Sequence, residues 1–378
     1  RTFLEKLLDG AEVEWKPLKK VCNFISTGKL NANAMDENGI YPFFTCNEKP
    51  YKINNYAFDM EAILISGNGS QVGHLNYFKG KFNAYQRTYV IGEFDNNTLV
   101  MYLYHYLNFK LRDYITINSK KGSVPYITLP MLEKFEIPIP PLSVQTEIVR
   151  ILDALTALTS ELTSELTLRR KQYEYYREKL LSFDSLERLN MGGAKKKLID
   201  VAIYAKVRIL ADKLDKENYV GVENLLQNKL GKTSSNYVPT DGAFIEYLPN
   251  DILIGNIRPY LRKIWLSDRK GGTNGDVLVI RLTDDNILPR YLYHILANEH
   301  FFEYNIKYSK GAKMPRGDKA AILQYEFDVP SLEEQHRIVS ILDKFETLTN
   351  SITEGLPLAI EQNQKRYEYY RELLLNFS

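Results

Sequence analysis

Two stretches decide the fold: Ile137-Pro138-Ile139-Pro140-Pro141-Leu142-Ser143-Val144-Gln145-Thr146-Glu147-Ile148-Val149-Arg150-Ile151-Leu152-Asp153 and Val329-Pro330-Ser331-Leu332-Glu333-Glu334-Gln335-His336-Arg337-Ile338-Val339-Ser340-Ile341-Leu342-Asp343. Gln145 and Gln335 stand 190 residues apart, and so do Ile148-Val149 and Ile338-Val339, and Ile151-Leu152-Asp153 and Ile341-Leu342-Asp343. Downstream, Tyr-Glu-Tyr-Tyr-Arg-Glu occurs at 173–178 and again at 367–372. Upstream, Ser119-Lys120 matches Ser309-Lys310 and Pro125 matches Pro315, still at 190. Further back the offset becomes 189, in Tyr102-Leu103-Tyr104-His105 against Tyr291-Leu292-Tyr293-His294 and in Ile63-Leu64-Ile65 against Ile252-Leu253-Ile254. Ordered matches at a nearly constant offset mean a tandem repeat. The chain of 378 residues is two copies of one unit.

The later part of each unit reads as helix. Ile148, Ile151, Leu155, Leu158, Leu162 and Tyr173 follow one another at steps that keep to one helix face, as do Ile338, Ile341, Phe345, Leu348, Ile352 and Tyr367. Pro140-Pro141 and Pro330 punctuate the starts. A helix over 143–181 is roughly 57 Å long at 1.5 Å per residue. Two such stripes in one chain are predicted to pack on each other as an antiparallel coiled coil about an internal pseudo-two-fold. The second copy carries four extra residues, and Gly355-Leu356-Pro357 falls there, so a kink or break is expected near these residues.

The earlier part of each unit is mixed. Short β-like runs, Ala62–Ser66, Thr88–Ile91, Ile252–Ile254 and Val277–Ile280, are separated by glycine and asparagine, and tyrosine-rich helical stretches, Leu99–Tyr114 and Pro289–Tyr304, follow. The fold class is therefore α+β. The expected divisions are a globule over 1–140, a long spacer helix over 141–184, a second globule over 185–328 and a second long helix over 329–378. The formal charge of +2 hides a split: basic residues exceed acidic ones by 16 to 14 and 22 to 18 in the globules, and acidic exceed basic by 15 to 11 in the helices. Such a split points the globules, not the helices, towards a polyanion.

Several classes are excluded or disfavoured. A composition of 44% apolar and 25% charged residues is that of a globular protein. No apolar run is long enough for a transmembrane helix, and the first residues do not read as a secretory signal. Two cysteines, Cys22 and Cys46, are too few for a disulfide framework or a structural zinc site, and two buried thiols in a reducing cytoplasm are expected. No metal site is expected. There is no Walker A run and no His-Glu-x-x-His, and Gly67-Asn68-Gly69 lacks the third glycine of a dinucleotide fingerprint. No Asp/Asn-Pro-Pro-Tyr/Phe motif of an amino-methyltransferase occurs either. His105 and His294, at equivalent repeat positions, read as core hydrogen-bonders. With no catalytic constellation, the chain reads as a binding protein.

The twice-repeated Pro…Gln-x-x-Ile-Val-x-Ile-Leu-Asp motif, the helices closing on Tyr-Arg-Glu-x-Leu-Leu, and Glu14-Trp15-Lys16-Pro17-Leu18 heading the first globule resemble the DNA specificity subunit of Type I restriction-modification enzymes. Lys196-Lys197-Leu198 heads the second globule more loosely. The resemblance covers essentially the whole chain. It implies that each globule is a target recognition domain reading one half of a bipartite, asymmetric sequence in double-stranded DNA. The helices would set the spacer and dock two methyltransferase (modification) subunits, with motor-nuclease (restriction) subunits joining that core. The chain itself would be non-catalytic and hold no cofactor. S-adenosylmethionine, ATP and magnesium would belong to the partners.

DNA contacts call for Lys, Arg, Asn or Gln on exposed loops. The candidates are Gln86 and Arg87; Lys120 and Lys121 in the Ser119–Ser123 loop; Arg258, Arg262 and Lys263; and Lys310, Lys313 and Arg316 in the loop equivalent to 119–123. The competing reading is a coiled-coil adaptor whose globules bind protein. The basic globules and paired basic loops favour DNA.

Overall fold

The computed structural model describes residues 2–119, 124–182 and 193–377. The chain divides into two compact units, Arg1–Glu161 with Glu361–Ser378, and Leu162–Ile360. Each unit therefore joins one globule to part of both helical regions.

In the first unit, alternation along each strand builds a two-sided sheet. Six strands run in the order Cys22–Thr27, Thr88–Phe94, Phe58–Ser66, Leu75–Ala84, Tyr41–Phe44 and Tyr51–Ile53. Only the pair Tyr41–Phe44 and Leu75–Ala84 is parallel. Successive side chains on a strand point to opposite faces. Ile63 and Ile65 thus enter one core with Ile91, while Ala62 and Leu64 enter another with Phe44, Phe82 and Val90. The helix Val100–Asn118 covers the first face through Leu103, Leu107, Leu111 and Ile115, a row at i,i+4 spacing.

The second unit repeats this plan with shorter strands. Ala202–Tyr204, Val277–Leu282, Ile252–Gly255 and Ile264–Leu266 form one sheet, and Arg208–Leu210, Ala243–Tyr247, Gly271–Thr273 and Tyr219–Val220 a second. Ile252 and Ile254 again face one core and Leu253 another. The predicted helix over Pro289–Tyr304 is two helices, Pro289–Leu296 and Glu299–Tyr308, the second capped by Asn298. Each globule is closed by a two-stranded ribbon that pairs its head with its tail: Glu14–Pro17 with Glu136–Ile139, and Ala194–Lys197 with Glu326–Val329. Lys195-Lys196-Lys197 lies in the second of these ribbons, and Lys196 Nζ lies 2.7 Å from Asp284.

The first helix is a continuous span, Leu142–Leu181, of 40 residues. The second is two helices, Leu332–Asn350 and Gly355–Leu375. The interruption precedes Pro357, which then sits in the first turn of the new helix, where its missing N–H costs nothing. Gly355 has φ of +82°, and a Cβ there would stand 2.5 Å from Thr347 O. Only glycine fits so close to the preceding helix end. The Ser351 hydroxyl accepts from the backbone N–H groups of Thr353 and Glu354, each at 3.2 Å.

This geometry corrects part of the predicted stripe. Ile352 lies in the interruption and is 78% exposed, and Leu158 is 37% exposed. Ile148 and Ile338 are fully buried, but in the cores of their own globules, where Leu152 and Leu342 join them. Tyr173 and Leu155 are buried, whereas Ile151, Leu162, Ile341, Phe345, Leu348 and Tyr367 are half-buried. Helix meets helix within each unit. Asn363 Nδ2 donates to Leu155 O and Thr159 Oγ1, both at 2.8 Å. Tyr173 stacks on Phe345 with ring centroids 5.9 Å apart.

Candidate nucleic-acid interface

Each long helix is tied to its globule in its first turns. Gln145 and Gln335 do this in the same way in both units. Each is completely buried. Gln145 Oε1 accepts from Leu99 N at 2.8 Å, and its Nε2 donates to Asn97 O and Pro140 O, both at 2.8 Å. Gln335 accepts from Leu288 N at 2.8 Å and donates to Asn286 O and Pro330 O at 2.9 Å. Every hydrogen-bonding atom of both amides is thereby used. Tyr102 donates to Pro138 O at 2.7 Å and Tyr291 to Asp328 O at 2.6 Å.

Two turns further along each helix, His105 Nε2 lies 2.7 Å from Asp153 and His294 Nε2 lies 2.8 Å from Asp343. Both Nδ1 atoms are buried without a partner among the described residues. A protonated ring would bury a bare N–H there, and burial holds both imidazoles below the usual histidine pKa. In the second unit Arg290 joins the clasp, 2.8 Å from Asp343 and 2.7 Å from Glu346. His294, Asp343 and Glu346 are grouped closely enough to hold a cation. The Arg290 guanidinium already bridges both carboxylates, so the group is a structural ion network.

Just past the strands Phe58–Ser66 and Ile252–Gly255, at a loop tip of each globule, the backbone repeats another construction. Gly67 N donates to Arg87 O at 2.9 Å, and Ile127 N to Gly67 O at 2.8 Å. The equivalents are Asn256 N to Asp276 O at 2.8 Å, and Gly317 N to Asn256 O at 3.1 Å. One scaffold thus carries two sets of side chains, with Arg87 in one unit where Asp276 stands in the other.

In the second unit this tip gathers four of the predicted residues. Lys310 and Arg316 exchange backbone hydrogen bonds of 2.8 Å, which close the loop between them, and Arg258 N donates to Pro315 O at 2.7 Å. Gly311, at φ of +107°, makes the turn. Lys310 pairs with Asp318 at 2.6 Å and Arg316 with Asp276 at 2.7 Å. Arg258 and Lys313 are exposed and have no acidic partner among the described residues. Tyr260 and Met314 are exposed beside them.

Arg262 and Lys263 do not join this group. Arg262 is bound by Glu299, with Nε 2.7 Å from Oε1, and Lys263 Nζ donates to Val222 O at 2.8 Å. Local sequence could not show this, because Glu299 lies 37 residues away.

In the first unit Gln86 and Arg87 occupy an exposed turn, with Gln86 N donating to Leu30 O at 2.9 Å. That bond brings exposed Lys29 alongside, a residue the sequence reading missed because nothing local marks it. Lys120 and Lys121 lie outside the described residues. Cys46 Sγ is at the same tip, 3.2 Å from Asn68 Oδ1 and only half-buried. Cys22, by contrast, is buried, and burial pushes its thiol pKa up to about 12.

One fold thus occurs twice, each copy tied to the start of its long helix by a saturated amide and each displaying a different set of exposed polar side chains, the design of a repeated binding module. The family description "Type I restriction modification DNA specificity domain" matches residues 11–169 and again 192–362, and the chain belongs to that family. It is 40% identical, over all of its own length and 99% of the relative's, to a putative type I restriction enzyme specificity subunit of Haemophilus influenzae. It is 32% identical to the EcoR124I/EcoR124II specificity subunit of Escherichia coli, over all of this chain and 97% of that one. Among solved structures, the S subunit of a type I restriction-modification system from M. genitalium superposes with a TM-score of 0.58 at 15% identity, covering 97% of this chain and 96% of that one. The chain is a DNA specificity subunit with two target recognition domains.

Proposed function

We propose that the two tips read the two halves of a bipartite, asymmetric DNA target and leave a spacer unread between them. The equivalent tip scaffolds with unlike side chains carry this reading. The same backbone frame presents Gln86, Arg87 and Lys29 in one unit and Arg258, Lys310, Lys313 and Arg316 in the other, so each reads different bases. The two helical regions act as an antiparallel ruler with pseudo-two-fold symmetry, and their acidic outer faces dock two methyltransferase subunits. Motor-nuclease subunits join that assembly. This chain supplies no catalytic group, and S-adenosylmethionine, ATP and magnesium serve the partner subunits.

The test is a methylome. The chain is co-expressed with its modification subunit in an unmodified host, and methyladenine is mapped by sequencing. A split motif that disappears without this chain is the expected result. Arg87→Ala should relax or abolish one half of the motif and Arg258→Ala the other, each by about 1–3 kcal/mol of discrimination. Equal loss of both halves from either substitution would refute the division of labour.

A further inference from the structure

The second unit contains a cavity that DNA reading does not use. It encloses about 310 Å³ and is lined by Arg170, Arg177 and Lys229 together with Tyr173, Glu174 and Glu346. Its charges do not balance internally. Arg177 is 3% exposed and Lys229 is largely buried, and both turn to the same carboxylate, Glu174, at 3.5 and 3.4 Å. Glu174 is itself half exposed. The other lining carboxylate, Glu346, pairs with Arg290, which also binds Asp343. Among the described residues Arg170 reaches only a neutral group, Thr349 O, at 3.3 Å. Arg177 Nη1 and Nη2 donate to Ala297 O and Tyr173 Oη, while its buried Nε has no partner among the described residues.

Three cations, Arg170, Arg177 and Lys229, thus line the cavity against two carboxylates, Glu174 and Glu346, the second of them shared with Arg290. Burying like charges side by side is unfavourable unless an anion compensates them. Burial and the neighbouring Arg177 both act to lower the pKa of Lys229. The first unit lacks the surplus. Arg371 takes the place of Arg177, but Gln364 stands where the repeat has Arg170.

We propose that this cavity binds a small phosphate-type oxyanion, either inorganic phosphate or the phosphate of a nucleotide, held by Arg170, Arg177 and Lys229. Two guanidinium forks and an ammonium supply the converging donors that a tetrahedral oxyanion accepts. The volume admits such an anion and leaves room for a substituent on it. The site is independent of the DNA-reading tips and does not rest on their assignment.

The experiment is thermal unfolding of the full chain with inorganic phosphate titrated against chloride at matched ionic strength. Phosphate at about ten times its dissociation constant should raise the midpoint by roughly 3–6 °C. Arg170 is at the surface, so Arg170→Gln keeps the fold, verified by circular dichroism, and should weaken phosphate binding about tenfold or more in calorimetric titration. Lys229→Met should abolish the response. Arg258→Ala, at the tip, should leave it unchanged, which separates this site from phosphate bound in place of DNA. A nucleotide titrated in parallel distinguishes the two sources: tighter binding than inorganic phosphate assigns the nucleotide. No midpoint rise beyond that of chloride, or an undiminished rise in Arg170→Gln, overturns the proposal.

Discussion

Replacing Gln335 by alanine removes three hydrogen bonds from a fully buried position and leaves Leu288 N–H, Asn286 O and Pro330 O facing a hole. A buried hydrogen bond contributes about 1 kcal/mol net, and stranding its partner costs more. Water admitted to the hole would recover part of that loss. The expected cost is therefore about 3 kcal/mol. For a unit of this size, 1 kcal/mol shifts the midpoint by about 2–4 °C, so Gln335→Ala should lower it by roughly 6–12 °C. Gln335→Glu is the sharper variant. It keeps an acceptor for Leu288 N–H but loses both donors and sets a negative charge against two carbonyl oxygens. It should be at least as damaging as alanine at neutral pH. Differential scanning calorimetry of the full chain reads both effects. A shift under about 2 °C for alanine, or a glutamate variant clearly milder than alanine, would refute the account of the clamp.

Three further outcomes follow from the geometry. His294 is held neutral in the fold, so below its unfolded pKa of about 6.5 the unfolded chain takes up a proton that the folded chain refuses. Stability should fall as pH drops from 7 towards 5, and His294→Gln should flatten that slope in midpoint-against-pH measurements. Brief maleimide labelling of the native chain should modify Cys46, with Cys22 reacting only after denaturation, as read by peptide mass. Four helical residues inserted after Glu161 add about 6 Å, and a duplex step is 3.4 Å, so the methylated motif should gain one to two base pairs of spacer.

The repeat was readable because its matched residues do matched work: Gln145 and Gln335, Asp153 and Asp343, and Tyr102 and Tyr291 make the same bonds in both units. The break before Pro357 was also readable, since proline and glycine act locally. What covers a stripe was not. Periodicity places Ile148 and Leu158 on one face, but the globule's own tyrosine-rich helix buries the first and solvent reaches the second. Isoleucine at 352 continued the spacing on paper, while the Ser351 turn carried it out of the helix. For the charged candidates the missing information was the long-range partner. Arg262 and Arg258 look alike in sequence, and only the fold brings Glu299 to one and, among the described residues, no acid to the other.

The bonds that shape each tip run between main-chain atoms: Gly67 with Arg87 and Ile127, Asn256 with Asp276 and Gly317. Mutation can therefore exchange an arginine for an aspartate at such a point without altering the frame that displays it. Under the proposed division of labour, a lineage pressed to mark new sequences can rewrite one tip at a time, keep the other as it was, and leave the shared scaffold intact.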